Sequence, residues 1–184
     1  MKSLIYLRAA GFAVALAACG GRQPENVKTA EMANADSTAP SKQDSEFMVK
    51  AASGEHLEVV LGHLAESNGA NPGVKRFGEM MVQEHSQGEE TFRGLAALKR
   101  ITLPDTLSVQ LEEERAKLEK KHGAAFDKAY VKMMVDGHKE DISEYQHAAI
   151  NGNDPDIKAL AAANIPILQM QLDSVQDLTM VVGK

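Results

Sequence analysis

The chain has 184 residues, a formal net charge of −6 and an aromatic content of only 4%, with no tryptophan. This length suits one domain with a core of ordinary size. The acidic balance, without any block of basic residues, argues against a nucleic-acid partner, and the scarcity of aromatic residues argues against a stacking surface for bases or sugars.

The first 18 residues have the three parts of a secretory signal peptide. Lys2 and Arg8 supply positive charge, residues 4–7 and 9–16 are apolar, and the small residues Ala17 and Ala18 follow. The apolar stretch is too short to span a bilayer as a stable helix. Residues 1–18 are therefore predicted to be a signal peptide, and no later segment has the apolar length of a transmembrane helix.

Cys19 follows this segment directly and is the only cysteine of the chain. The four residues 16–19, Leu-Ala-Ala-Cys, resemble the lipobox of bacterial lipoproteins, which implies a lipid on the Cys19 thiol and a membrane as partner. Gly20 is not the aspartate that retains many lipoproteins at the inner membrane, so the outer membrane is favoured, with the domain in the periplasm or at the surface. The alternative is a cleaved, soluble protein with a free thiol.

Residues 19–43 are predicted to be the lipidated cysteine and a flexible tether. The stretch is rich in Gly, Ala, Asn, Gln, Ser, Thr and Pro and has almost no large apolar residue. Such a composition buries too little surface to offset the entropy lost on ordering.

From residue 44 onward the apolar periodicity is helical and nothing alternates as a strand would. Asn71-Pro72 and Asp154-Pro155 are typical helix starts, and Pro166 predicts a kink. The predicted helices cover about 45–67, 72–99, 107–122, 125–150 and 155–181. The helix at 107–122 is highly charged. The expected fold is an all-α antiparallel four-helix bundle, with 107–122 as an additional charged connecting helix.

Two of the long predicted helices carry the same pattern, aromatic-x-x-Met-Met-Val-x-x-His and then an aromatic residue seven positions later. The first copy consists of Phe77, Met80, Met81, Val82, His85 and Phe92, and the second of Tyr130, Met133, Met134, Val135, His138 and Tyr145. Convergence of two core-facing helices explains the apolar positions alone. The paired histidines are better explained by a duplicated helical hairpin.

Several short motifs, in their order and spacing, resemble the predicted outer-membrane family catalogued as domain of unknown function 4142. They are Glu58-Val59-x-x-Gly62, Met81-Val82-x-x-His85, Phe126-Asp127-x-x-Tyr130, Met134-Val135-x-x-His138 and Pro166-x-Leu168 followed by Leu172. The resemblance implies a ferritin-like bundle over residues 44–184 and a location in the envelope, but no activity. The family usually has histidine where this chain has Gln171.

Counting turns from the predicted helix ends places three candidate ligands at one level of the bundle. His85 and His138 lie about three turns from the starts of helices that run parallel, and Glu58 of the preceding antiparallel helix reaches the same level. A metal site formed by Glu58, His85 and His138 is therefore predicted. Weaker candidates are Met81, Met134, Asp141 and Gln171.

The competing interpretation of these residues is a buried His–Glu network that only fixes helix register. The residues three before the histidines are Val82 and Val135 rather than glutamate, so ferritin-type ferroxidase chemistry is not expected. Iron, copper or zinc are the possible ions, with the methionines favouring copper. The chain has no glycine-framed serine and no phosphate-binding glycine loop, and no catalytic residue is predicted.

Two functions therefore stay open at this stage. One is a metal-binding bundle for storage, buffering or sensing. The other is a non-catalytic structural or stress-related envelope protein that acts through contacts with protein partners.

Overall fold

The computed structural model describes residues 27–35 and 40–183, and every regular element within these ranges is a helix. The helices are α1 (Val27–Ala35), α2 (Lys42–Asn68), α3 (Pro72–Lys99), α4 (Val109–Glu119), α5 (Gly123–Asn151) and α6 (Pro155–Val182). The predicted all-α class is confirmed. The signal peptide and Cys19 lie outside the described residues.

The helix starts follow the predicted capping chemistry, with one difference. The side chain of Asn71 accepts a hydrogen bond from the backbone amide of Gly73, and that of Asp154 accepts from Asp156 and Ile157, each just before a proline. Helix α2 begins at Lys42, three residues before the predicted start at about residue 45, and Ser41 is its cap. Helix α6 continues through Pro166 without a break; the kink there stays a prediction.

The four long helices form two antiparallel hairpins, α2–α3 and α5–α6, and the hairpins pack on each other through α2 with α5 and α3 with α6. Helices α3 and α5 are therefore diagonal. Gly62 and Gly78 let the first hairpin pack tightly, since a Cβ on Gly62 would lie 2.7 Å from the Gly78 carbonyl oxygen. The shorter α4 contacts α2 and α5 and connects the hairpins.

Each hairpin holds the connecting loop of the other through an aspartate. Asp127 of α5 accepts hydrogen bonds from the backbone amides of Ala70 and Asn71, at 3.0 and 2.9 Å. Asp44 of α2 accepts from the amides of Asn153 and Asp154, each at 3.0 Å. Because both carboxylates are nearly fully buried, these bonds fix the two hairpins in register.

The predicted tether is wrong for residues 27–35 and for the last residues before 44. Residues 27–35 form α1, which packs on α2, and Ala30 is fully buried. Asn34 anchors the C-terminal end of α1 to the backbone of Thr102. Its side-chain amide donates to the Thr102 carbonyl oxygen at 2.9 Å, and its side-chain oxygen accepts from the Thr102 amide at 2.7 Å. This pairing satisfies polar groups that a loop would otherwise leave to water, and it orders a segment with little apolar surface.

The core of the bundle consists of two hydrophobic clusters. The first cluster contains Leu61, Ala65, Val74, Phe77, Met81, Leu118, Phe126, Tyr130, Val131, Met134, Leu172 and Val175. The second cluster contains Phe47, Met48, Ala51, Phe92, Ala96, Ile101, Tyr145, Ala148, Ile157, Ala161 and Leu168. Across the described part of the chain, no helix is both long and apolar enough to span a membrane.

Candidate functional site

Buried polar side chains separate the two hydrophobic clusters. Along each long helix they lie at positions between those of the first cluster and those of the second. This set, which we call the polar layer, consists of Glu55, Glu58, His85, His138, Asp141 and Gln171. All four long helices contribute to it, and every member except the partly buried Asp141 is less than a tenth exposed. Ionisable groups so deep in a bundle are costly unless they are paired or bind a ligand.

His85 is fixed by a carboxylate on the neighbouring helix. Its Nδ1 donates to Glu55 Oε2 at 2.8 Å, and the Tyr145 hydroxyl donates to the other oxygen, Glu55 Oε1, at 3.2 Å. Burial raises the pKa of Tyr145 well above its usual value, and the charge of Glu55 raises it further, so the phenol keeps its proton. One carboxylate thus orients both side chains.

His138 is fixed by the backbone of its own helix. Its Nδ1 lies 2.9 Å from the carbonyl oxygen of Met134, and because a carbonyl only accepts, this nitrogen carries the proton. The ring is fully buried and packs beside that of His85, with centroids 6.5 Å apart and planes at 86°. With the proton on Nδ1, the nitrogen that can offer a lone pair is Nε2.

Four atoms of the polar layer have no hydrogen-bond partner within the described structure: His85 Nε2, His138 Nε2, Glu58 Oε2 and Gln171 Oε1. A buried polar atom without a partner typically costs about 1–3 kcal/mol. Such groups in a native core usually mark a strained site or a site for water or an ion. The histidines therefore each have one ring nitrogen engaged and one available.

The electrostatics of the layer favour positive charge. Burial opposes protonation of His85, but the hydrogen bond and charge of Glu55, with the charges of Glu58 and Asp141, outweigh it and raise the pKa of the imidazole above its usual value. Burial, followed by the charge of Glu58, raises the pKa of the Asp141 carboxyl to about 8. A cation beside these carboxyl groups would relieve their mutual repulsion.

A small cavity connects members of the layer. Its volume is about 10 Å³, and it is lined by Glu55, Glu58, His85, Asp141 and Tyr145 together with Ala51, Gly54 and Leu168. This volume corresponds to about one water-sized sphere. It matches a single ion or water and excludes an organic cofactor.

The predicted ligands are brought to one level, but they do not form a closed ligand set. Over residues 27–35 and 40–183, no three or more His, Cys, Asp or Glu side chains are grouped closely enough to hold a metal ion. With metal–nitrogen bonds of about 2.1 Å, two imidazoles on one ion have centroids roughly 5–6.5 Å apart. The separation of His85 and His138 is at the upper end of this range.

Of the four weaker candidates, the two methionines lie in the hydrophobic core, and Asp141 and Gln171 lie in the polar layer. Met81 and Met134 are almost fully buried in the first cluster, where they fill the core. Asp141 lines the small cavity beside Glu58. Gln171 is 1% exposed; its amide donates to Glu84 Oε2 at 2.7 Å, while its Oε1 has no partner within the described structure.

Two residues of the site are missing from the predicted ligand set: Glu55, which bonds His85, and Tyr145, which bonds Glu55. Glu55 lies less than one turn before Glu58 and is as deeply buried. A signal was available in Gly88, since a Cβ there would lie 2.0 Å from Glu55 Oε2. A glycine one turn after a buried histidine thus makes room for the carboxylate.

Comparison with known proteins gives a family and a fold. The family model described as domain of unknown function (DUF4142) matches residues 29–178. The structure is similar to the crystal structure of a Streptomyces coelicolor protein that is described as a secreted DUF305 protein, with a TM-score of 0.63 and 15% identity over 76% of this chain and 92% of that one. At this identity the likeness concerns the fold alone. No curated protein matches significantly.

Proposed function

Because the chain belongs to the family described as domain of unknown function 4142, and that description names no activity, we propose a function from the polar layer itself. The protein binds one transition-metal ion in the core of its helical bundle. The nitrogen ligands are His85 Nε2 and His138 Nε2, and Glu58 supplies oxygen. Its role is metal storage, buffering or sensing rather than catalysis.

One observation carries this proposal: both histidines use Nδ1 for a fixed acceptor and leave Nε2 without a partner in the described core. Metal-ligating histidines almost always donate their second ring N–H to a carboxylate or a backbone carbonyl, which orients the ring and selects the tautomer. Glu55 does this for His85, and the Met134 carbonyl does it for His138. A histidine with only a structural role would gain by bonding both nitrogens.

The chemistry of the donor atoms narrows the choice of metal ion. Imidazole nitrogens with one or two carboxylates suit iron, copper or zinc, whereas magnesium and calcium prefer oxygen ligands alone. Closing the ligand set requires the two rings to approach slightly from 6.5 Å and Glu58 Oε2 to turn toward them. The small cavity lies beside Glu58 and His85.

The envelope location belongs to the same proposal. The lipobox-like residues 16–19 support a lipid anchor at Cys19, and the similar Streptomyces coelicolor structure, described as a secreted protein, supports a place outside the cytoplasm. Two hairpins with a polar layer at mid-length support a ferritin-like bundle. The outer membrane is the favoured site of anchoring.

A second candidate function has its own supporting observation. The ligand set is not closed, and Glu55 already bonds both His85 and Tyr145. The polar layer then acts as a register device in a non-catalytic structural or stress-related envelope protein that works through partner contacts.

Metal content separates the two candidates. Protein purified without a histidine tag, stripped with a chelator and dialysed against micromolar Fe²⁺, Cu²⁺ or Zn²⁺ should retain about one ion per chain. That ion should raise the melting temperature, because it binds only the folded state. His85→Ala and His138→Ala should abolish both effects. His56→Ala is the matched control, since His56 lies on the surface of α2 and bonds Glu89.

The structural alternative predicts a different result from the same variants. Wild type would retain none of the three ions, and each alanine variant would lose only stability, about 1–3 kcal/mol for the partner left without its bond. That outcome would overturn the metal proposal.

A further inference from the structure

A cleft in the side of the bundle leads from the surface to the polar layer. It has a volume of about 440 Å³ and lies between α2, α4 and α5. Its walls include Gly54 and Glu58 of α2, Glu114 of α4, and Gly137 and Asp141 of α5. It is much larger than a single ion, and its walls carry both apolar and acidic side chains.

The cleft and the small buried cavity share a wall. Gly54, Glu58 and Asp141 line both of them, whereas His85 lines only the buried cavity. The two carboxyl groups therefore lie between the surface and His85, and an ion that crosses this wall meets oxygen ligands before the nitrogen of His85.

The charges of the cleft suit a cation. Its ionisable side chains are the carboxyl groups of Glu58, Glu114, Glu140, Asp141 and Glu144 and the amine of Lys50. Lys50 is already paired with Glu144, at 3.4 Å. A concave surface with this excess of one sign raises the local concentration of the opposite ion and excludes anions.

A buried residue of the shared wall has an oxygen atom without a hydrogen-bond partner. Glu58 is 6% exposed, and its Oε2 has no hydrogen-bond partner in the described structure. The buried Ser53 hydroxyl, which also lies in the cleft wall, likewise has no hydrogen-bond partner in the described structure. Each carries lone pairs that an incoming cation could use.

We propose that this cleft is the access route by which a divalent cation reaches the histidines, with Glu58 and Asp141 receiving the ion at the shared wall. The inference rests on the proposed metal-binding function and adds the path, the charge selectivity and the residues that control the rate. It assigns the cleft a kinetic role and leaves the equilibrium ligands unchanged.

Two glycines make this route testable. No atom lies within 4 Å of where a Cβ would stand on Gly54 or on Gly137. A Cβ at Gly137 would therefore stand at the cleft without a clash, and replacing a helical glycine by alanine gains about 1 kcal/mol of helix propensity. Gly94 of α3 is the matched control, because it is a helical glycine with the same open surroundings but lies outside the cleft.

The experiment is stopped-flow binding of Co²⁺, followed by its absorbance, to wild type and to Gly137→Ala, Gly137→Leu and Gly94→Leu. We expect the association rate to fall with side-chain size at position 137, by about tenfold or more for leucine, with unchanged final stoichiometry. Gly94→Leu should bind at the wild-type rate. The wild-type rate should also fall as salt is raised, since salt screens the acidic cleft.

The possible failures are distinct. If wild type binds Co²⁺ and Gly137→Leu binds it equally fast, the access route is wrong and the metal site stands. If wild type binds no Co²⁺, and none of Fe²⁺, Cu²⁺ or Zn²⁺ is retained, both proposals fall. Circular dichroism of each variant shows that the helices are intact, and Gly137→Ala covers the case in which leucine prevents folding.

Discussion

His85 and His138 face each other across the bundle with ring centroids 6.5 Å apart and planes nearly perpendicular. The same register holds on either side of them, where Phe77 lies 6.2 Å from Tyr130 and Phe92 lies 6.3 Å from Tyr145. The histidine and both aromatic residues of the repeated pattern thus lie beside their counterparts in the other copy. Helices α3 and α5 are therefore parallel and in phase, and the two histidines are at equal depth because of that alignment.

The pairing of His85 with Glu55 predicts the effect of removing one charge. Glu55→Gln keeps an acceptor but loses the carboxylate, so the pKa of His85 should fall below its wild-type value, which lies above 6.5. An NMR pH titration of the imidazole in chelator-treated protein measures it. Glu46→Gln, on the exposed face of α2, should leave the pKa unchanged. If the pKa of His85 were unchanged in Glu55→Gln, a group other than Glu55 would be responsible for raising it.

The same pair has a consequence for stability. Because the folded pKa of His85 exceeds the unfolded value, its contribution is fully present below about pH 6.5 and is lost as pH rises through the folded pKa. Denaturant unfolding at several pH values measures this loss. As pH rises from about 6.5 through the folded pKa of His85, the free energy of unfolding should fall less for Glu55→Gln than for wild type.

Asp141 should destabilise the metal-free protein at neutral pH. Its pKa is about 8 in the folded chain against 3.8 in the unfolded chain, so the unfolded chain releases the proton first and stability falls as pH rises from about 4 to about 8. Near pH 8, Asp141→Asn should be more stable than wild type by about 1–3 kcal/mol, a value that is lowered because solvent screens the partly exposed carboxyl group. Near pH 4 the two proteins should be equally stable.

Chemical unfolding across this pH range provides the measurement. The exposed Asp136 of the same helix is the control, since Lys132 lowers its pKa instead, and Asp136→Asn should not gain stability at pH 8. A flat difference between Asp141→Asn and wild type at all pH values would contradict the prediction.

Gln171→His should strengthen metal binding. Gln171 is the α6 member of the polar layer, and its Oε1 has no partner within the described residues. A third imidazole at this depth should tighten binding by about tenfold or more. Gln169→His adds the same ring two residues away, at an exposed position that bonds Asp173, and should have no effect. Equal affinities for the two variants would place position 171 outside the ligand set.

The reciprocal aspartates should be major contributors to stability. Asp44→Asn and Asp127→Asn each weaken bonds from two buried backbone amides, so each should lower the free energy of unfolding by about 1–3 kcal/mol. The exposed Asp173, bonded only within α6, is the control. Denaturant midpoints would settle the comparison, and a variant as stable as wild type would mean that the loops are held by other contacts.

Cys19 tests the envelope proposal independently of any metal. Full-length protein should incorporate labelled fatty acid and sediment with membranes, and Cys19→Ser should do neither. Labelling of the Cys19→Ser variant at the wild-type level would exclude a lipid on this thiol.

The helices and the depth of the site were predictable because both depend on local signals. Asn71-Pro72 defines the start of α3. Counting turns from there, and from the predicted start of the next long helix at about residue 125, places His85 and His138 at one level. The choice between Glu55 and Glu58 was not predictable in this way. Both are buried on one face of α2, and which one reaches His85 depends on the space left by Gly88.

Helix α1 was missed for a different reason. Its composition resembles a disordered linker, and only Ala30 and Asn34 are buried. Its order depends on the backbone of Thr102, which is distant in sequence, and on the surface of α2. Composition measures apolar surface and does not detect a specific long-range pairing of polar groups.

The docking of α1 sets the reach of the protein. With a lipid on Cys19, only the eight peptide links from Cys19 to Val27 separate the membrane from a segment fixed to the bundle. Even fully extended, they span only about 25–30 Å. The bundle would then lie within a domain's width of the lipid surface, and under the proposed function a metal donor or recipient would meet it there. If Asn34 were released from Thr102, the connection between Cys19 and the bundle would become longer, and the bundle could sample a larger volume.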